Sequence, residues 1–219
     1  YPSEWVFAQG VHVNEKVPTK PALVLIAVKP QMMQDALPAL KALGEGETVF
    51  LSVAAGISIG TYEEILGANT PILRAMPNTP AAIGQGITVL VGNAVSTADH
   101  IELAHALLSA IGEVVDLDNE AEMDAVTGVS GSGPAYVFYM IDALAKAGER
   151  QGLSPDLAMQ LAKATVAGAG ALAMASEETP EQLRINVTSP NGTTQAGLEV
   201  LMDQNAGLIS LIDETVAAA

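Results

Sequence analysis

The residues best suited to chemistry lie between Asn186 and Thr194, in the run Asn-Val-Thr-Ser-Pro-Asn-Gly-Thr-Thr. Pro190-Asn-Gly192 is a turn signature, because Pro fixes one backbone dihedral while Asn and Gly tolerate left-handed ones. Thr193 and Thr194 then stand at a helix start, where a hydroxyl can cap unpaired amides. Behind them Leu198, Leu201 and Met202 recur at helical spacing. A glycine-containing turn that feeds amides into a helix N-terminus is a receptor for a small anion such as a carboxylate. The same residues also make an ordinary helix cap, and this stretch alone leaves both readings open.

Composition narrows the classes. The chain has 219 residues, enough for one large or two small domains, and 49% of them are apolar. A net charge of −16 with only nine Lys and Arg argues against nucleic-acid or anionic-membrane partners, which need clustered cations. There are no cysteines, so disulfides, thiolate metal sites and Cys nucleophiles are excluded. His100 and His105 are spaced for different sides of a helix rather than one metal-binding face, so no metal is expected. The apolar run Ala22–Val28 falls far short of the ~20 residues that span a bilayer, and no signal peptide is visible. A soluble cytoplasmic protein is expected. The opening Tyr1-Pro-Ser lacks an initiator Met and reads as the start of a fragment.

The elements that must position the loop fall into two groups. Branched apolar runs predict strands at 22–28, 48–53, 70–76, 86–92 and 113–117. Helical periodicity fills 31–43, 58–66 and 97–111. Alternating strand and helix is the rhythm of a doubly wound α/β sheet, in which ligands bind beyond the carboxyl ends of the strands. That edge carries Lys29-Pro30, Ala54-Ala-Gly56 and Met76-Pro-Asn-Thr-Pro80, loops small enough for a nucleotide to approach backbone, though each alone is also a plain connection. From Asn119 the strand signal stops. Asn119-Glu-Ala-Glu122 opens a helix towards Val126, Gly128–Pro134 reads as a glycine–serine hinge, and helices follow at 135–151 and 155–176. Thr179-Pro-Glu-Gln182 caps another, and two more close the chain. The expected division is 1–118, a partial Rossmann domain, and 119–219, all helical. Gly168, Gly170 and many alanines suit close helix contacts, and so apolar a helical half predicts a two-fold partner.

With the loop, Ser130-Gly-Ser-Gly-Pro-Ala-Tyr136, Ala27-Val-Lys-Pro30, Arg74-Ala-Met-Pro-Asn-Thr-Pro-Ala81 and Asp124-Ala-Val-Thr-Gly128 in view, the chain resembles the pyrroline-5-carboxylate reductases over nearly all of Gly10 to its end. The resemblance implies a Rossmann domain followed by a helical domain through which two chains interlock as a homodimer, with rings such as a decamer of five dimers built from these. It implies NADPH- or NADH-dependent reduction of 1-pyrroline-5-carboxylate to L-proline, with hydride reaching the imine carbon that becomes C5 of proline. Carried over by residue, it makes Asn14, Ala27, Val28, Lys29, Pro30, Val53, Ala54 and Ala55 cofactor contacts. Asn186 would reach the cofactor of the partner chain. Ser189, Gly192, Thr193 and Thr194 match the substrate loop, and Glu177 an acid lining the same pocket. The amides of Gly192 to Thr194 would grip the ring carboxylate. Thr194 Oγ would orient the imine nitrogen, with water as the proton source. Two departures stand out: Ile185 and Asn191 occupy positions where many relatives have Asp and Gly. The family's opening strand and G-x-G-x-x-G turn are absent before Tyr1, and Gly168-Ala-Gly170 is no substitute, lying mid-helix without a preceding strand.

Two other classes compete. A reductase of the β-hydroxyacid-dehydrogenase type would place a catalytic lysine on a helix of the second half, where only Lys146 and Lys163 occur. A non-catalytic helical dimer or regulatory paralogue would need neither.

Overall fold

Five strands form where the branched runs predict them, in a computed structural model that describes residues 4–13 and 17–219. The chain divides into two compact units, Tyr1–Met123 and Asp124–Ala219.

A short helix, α1 (Glu4–Ala8), opens the first unit ahead of β1 (Leu23–Ile26). The helix predicted over 31–43 is broken into a 3-10 turn, one turn of α-helix, α2 (Met33–Ala36), and a 3-10 stretch Leu37–Leu43. Pro38, at the start of that stretch, removes an amide donor, while Leu37 itself keeps α geometry at φ −66° and ψ −39°. β2 (Val49–Ser52) follows, then α3 (Ile59–Leu66), whose cap Ser58 accepts a hydrogen bond from the Thr61 amide. β3 (Ile72–Met76), β4 (Gly86–Gly92), α4 (Ala98–Leu108) and β5 (Gly112–Asp116) complete the unit.

The sheet order is β1-β2-β3-β4-β5, all parallel except the β3–β4 pair. That exception follows from chain length. Parallel neighbours need a crossover of about a dozen residues or more, and the connection from Pro77 to Gln85 is shorter. The Asn78 side chain closes it by accepting from the Ile87 amide at 3.0 Å.

Strand alternation gives the sheet two buried faces. Val49, Leu51, Leu73, Ala75 and Leu90 pack against Ala104 and Leu108 of α4 on one. Ser52 turns to the other and hydrogen-bonds Tyr62 of α3. Burying side chains such as Phe50, Leu51, Ile72, Leu73 and Leu90 contributes roughly 1.5–3 kcal/mol each, which is what holds the strand ends in place. His105 ties α4 to β5 through Asp116 at 2.8 Å, and the His100 ring accepts from the Thr97 amide at 3.1 Å.

The second unit begins within α5 (Met123–Val126). The cap expected at Asn119 forms, its Oδ1 accepting from the Ala121 amide ahead of a 3-10 turn, Glu120–Glu122, that leads into α5, while the Glu120 side chain pairs with Arg74 of β3. The stretch expected as a hinge is wound: Thr127–Gly131 is a π-turn leading into α6 (Gly133–Arg150). Gly128 permits this, because a Cβ there would sit 3.1 Å from the carbonyl oxygen of Val216. α7 (Pro155–Ala175), capped by Ser154, packs on α6 through Ala145, Ala158 and Ala162. The close approach uses Gly148, whose added Cβ would meet that of Ala158 at 3.3 Å. Gly168 and Gly170 face open space within the chain instead. α8 (Pro180–Asn186), α9 (Thr193–Leu201) and α10 (Leu208–Ala218) follow.

This unit buries little of its own apolar surface. Phe138, Tyr139, Leu144, Leu157, Leu161, Leu172 and Met174 are all exposed. Among the described residues α7 alone is long and apolar enough to match a membrane span, with an 18-residue window of mean hydropathy 1.3 of which 11% is buried, which the longest unbroken apolar run did not reveal.

Gly112 tests the sheet. Its φ is 144° and a Cβ would lie 2.0 Å from the Gly86 oxygen. Gly112→Ala is expected to lower stability by ~2–4 kcal/mol, read as a fall in Tm, because neither the dihedral nor the space admits a side chain.

Candidate active site

Each unit carries one candidate surface. In the first, register sets Ile26 beside Ser52 and Ser52 beside Arg74, so the segments after β1, β2 and β3 leave from one carboxyl edge. Ala27, Lys29, Pro30, Ala55 and Gly56 are exposed along it, Val28 and Val53 are half-buried, and Ala54 is buried. The Ala54 amide is committed to Ser52 Oγ at 3.2 Å and the Val53 amide to the Ile26 carbonyl at 3.1 Å. What the edge offers a ligand is therefore the peptide groups of Ala55 and Gly56, the small side chain of Ala27 and the Lys29 cation. Such a surface fits a flat, anionic nucleotide that must lie close to backbone. Asn14 lies outside the described residues.

A buried polar network braces this edge, and although Arg74 and Glu120 lie in motifs the sequence marked, their pairing was not read from it. Arg74 Nη1 meets Glu120 Oε1 at 2.8 Å, and the same oxygen accepts from the Ile59 amide at 2.8 Å. Burial raises the pKa of the neighbouring Tyr62 phenol, keeping it neutral in its bond to Ser52. An arginine mid-strand in Ile-Leu-Arg-Ala-Met was the available signal, since a buried cation requires a partner.

In the second unit the turn after α8 delivers the loop. Asn191 adopts φ 59°, and Gly192 is the N-cap of α9 at φ −88°. The threonines were expected to cap the helix, but they are its first two residues and no side chain caps it. The donor set shifts accordingly. The Gly192 amide is consumed by the Ser189 carbonyl at 3.0 Å, and the Asn191 amide by Gln195 Oε1 at 2.7 Å. The amides of Thr193, Thr194 and Gln195 remain, with no intrahelical acceptor because they begin the helix. Ser189, Thr193 and Thr194 are exposed beside them. Gln195 stands third after the cap, where a reciprocal capping residue belongs; reading the threonines as caps hides it.

Asn186 ends α8, its Nδ2 donating to Glu178 Oε2 and its Oδ1 accepting from Gln182 Nε2, both at 2.8 Å. The acid that engages it is thus Glu178, while Glu177 lies exposed in the preceding loop. A groove of about 390 Å³ between α8 and α9 is lined by Arg184, Thr188, Gln195, Leu198, Glu199 and Met202. Larger hollows lie elsewhere: one of about 730 Å³ at the amino ends of β1 and β2, and one of about 520 Å³ between α6 and α7. The first is at the wrong end of the strands for a nucleotide, and the second is a seam between mostly apolar helix faces. Lys146, the alternative catalytic lysine, is exposed and paired with Asp142 of its own helix at 2.7 Å, which raises its pKa.

Known proteins decide between the classes. The family model described as pyrroline-5-carboxylate reductase dimerisation matches residues 120–219. A pyrroline-5-carboxylate reductase of Pseudomonas aeruginosa is 43% identical over 95% of this chain and 76% of its own length. The chain belongs to the pyrroline-5-carboxylate reductase family. Among solved structures, a pyrroline-5-carboxylate reductase from Coxiella burnetii superposes with a TM-score of 0.86 at 36% identity, covering 91% of this chain and 74% of that one. A Plasmodium falciparum pyrroline carboxylate reductase with NADP bound gives 0.81 at 29% identity, covering 90% and 74%. The chain spans about three quarters of the length of these reductases. The family match also accounts for the bare apolar faces of α6 and α7, because it makes the helical unit a dimerisation domain rather than a membrane anchor.

Glu120→Ala would leave Arg74 buried without a counter-charge and the Ile59 amide without an acceptor. The expected loss is ~2–4 kcal/mol in urea unfolding at fixed protein concentration.

Proposed function

We propose that this chain reduces 1-pyrroline-5-carboxylate to L-proline with NAD(P)H, the first unit holding the cofactor and the second holding the substrate and the partner chain. The observation that carries the site assignment is the run of free amides at Thr193, Thr194 and Gln195, set behind a left-handed Asn191. Backbone donors at a helix N-terminus suit a carboxylate, and the helix dipole adds to the attraction.

The bound cofactor supplies the hydride. The protein's part is orientation and electrostatics. Thr193, Thr194 and Gln195 hold the ring carboxylate through their amides, which fixes where the imine carbon lies. Positioning of this kind contributes several kcal/mol to a barrier, in round terms about 7–11 at its best. Thr194 Oγ accepts or donates at the imine nitrogen; as a hydroxyl of high pKa it orients the ring, and water provides the proton. Ser189 flanks the carboxylate, and Gly192 shapes the turn rather than donating. Glu177, exposed in the segment before α8, favours a cationic ring. Ala27 to Pro30 and Val53 to Ala55 line the cofactor, with Lys29 supplying the positive charge. Asn186, held by Glu178 and Gln182, presents its remaining amide hydrogen to a cofactor of the partner chain. Five dimers closing into a ring, and a cytoplasmic location, complete this reading, in keeping with a biosynthetic reductase.

A crystal of the complete protein with L-proline is expected to place the carboxylate within ~3 Å of the Thr193 and Thr194 amides. A ligand bound remote from them overturns the assignment. Thr194→Val should lower kcat/KM about tenfold while Thr194→Ser stays near wild type, the difference one hydroxyl hydrogen bond makes. Gly192→Ala should raise KM for the imine about fivefold without touching KM for the cofactor. A Cβ there would press to 3.0 Å on the Ser189 oxygen and disturb the turn.

A further inference from the structure

The turn before α9 is held by a side chain that the reaction itself does not call for. Asn191 sits at φ 59°, a left-handed conformation that Asn tolerates better than most residues with a Cβ but at a steric cost that glycine does not carry. Its amide donates to Gln195 Oε1 at 2.7 Å, one helical turn further on. Gln195 has no freedom to present its other end. Its Nε2 donates to Glu199 Oε1 at 3.1 Å, and a carboxylate only accepts. The amide nitrogen must therefore face Glu199, which leaves the carbonyl oxygen facing Asn191. The two contacts run along one face of α9 at i, i+4 spacing.

We propose that Gln195, oriented by Glu199, is a positioning residue for the substrate. It latches Asn191 in its left-handed conformation and thereby sets the direction of the free amides of Thr193 and Thr194. This rests on the reading that those amides hold the substrate carboxylate, and it assigns Gln195 a side-chain role distinct from that of its own amide. The latch also removes a competitor. An unpaired Asn191 amide would be a further donor in the turn, and its engagement confines the anion to the helix start.

The latch has a condition that makes it testable. It matters because residue 191 bears a side chain; glycine adopts the same dihedral without penalty. In Asn191→Gly the turn should hold its shape unaided.

The experiment is steady-state kinetics on the complete enzyme for Gln195→Ala, Asn191→Gly and the double variant, with Gly192→Ala alongside. Gln195→Ala is expected to raise KM for 1-pyrroline-5-carboxylate about fivefold, the worth of one hydrogen bond, with kcat and KM for the cofactor within about twofold. On the Asn191→Gly background the same substitution is expected to change KM by less than about twofold. An unchanged KM in Gln195→Ala, with Gly192→Ala still raising it, overturns the latch and leaves the carboxylate site standing. An equal rise on the Asn191→Gly background also overturns the latch. If neither Gln195→Ala nor Gly192→Ala moves KM, the carboxylate site falls as well.

Discussion

Peptide N–H groups that a helix cannot use are the resource on which the proposed substrate site depends. The first amides of α9 have no carbonyl behind them, and the turn leaves those of Thr193, Thr194 and Gln195 free by engaging those of Asn191 and Gly192 elsewhere. The choice of backbone donors suits the chain as a whole. At a net charge of −16 its general field repels an anionic substrate. In the proposed site a helix N-terminus would concentrate partial positive charge for a carboxylate without adding a side-chain cation. Such donors are only as well aimed as the turn that carries them, so the dihedral of one residue, Asn191, bears on the whole arrangement.

The same economy appears in the helical unit. Its internal core is a seam of alanines, and its large side chains stand outside. A helix such as α7, apolar along its length and barely buried, would be unstable in water as an isolated face. Membership of a dimerisation family supplies the missing cover. The loop at α9 therefore stands on a scaffold that leaves much of its apolar surface to be covered by a partner chain.

The sheet unit works differently. Its two faces are closed by α3 and α4, and its carboxyl edge is stiffened from beneath by Arg74, Glu120, Ser52 and Tyr62. Because both Arg74 and the Ile59 amide terminate on one Glu120 oxygen, the strand, the helix start and the segment leaving the sheet are fixed together. The small segment Ala54-Ala-Gly56 leaves the sheet from this braced edge, where the proposed nucleotide site lies.

Periodicity by itself determined the strands, α4, α6, α7 and the two closing helices, since alternation and 3.6-residue spacing are local properties written in every residue. It also marked Pro190-Asn-Gly192 as a turn into a helix, and the motifs around it pointed to the family. Only tertiary structure decided which amides stay free, because that depends on Gln195 folding back over Asn191 and not on the threonines that local rules favour as caps. It likewise decided that Gly128 is wound against Val216 and not a hinge, and that Glu120 pairs with Arg74 across the chain. Gly128 meets Val216 and Glu120 meets Arg74 across long stretches of chain, so no run of neighbouring residues encodes their proximity, and hydrogen bonds and burial are settled by where those atoms meet.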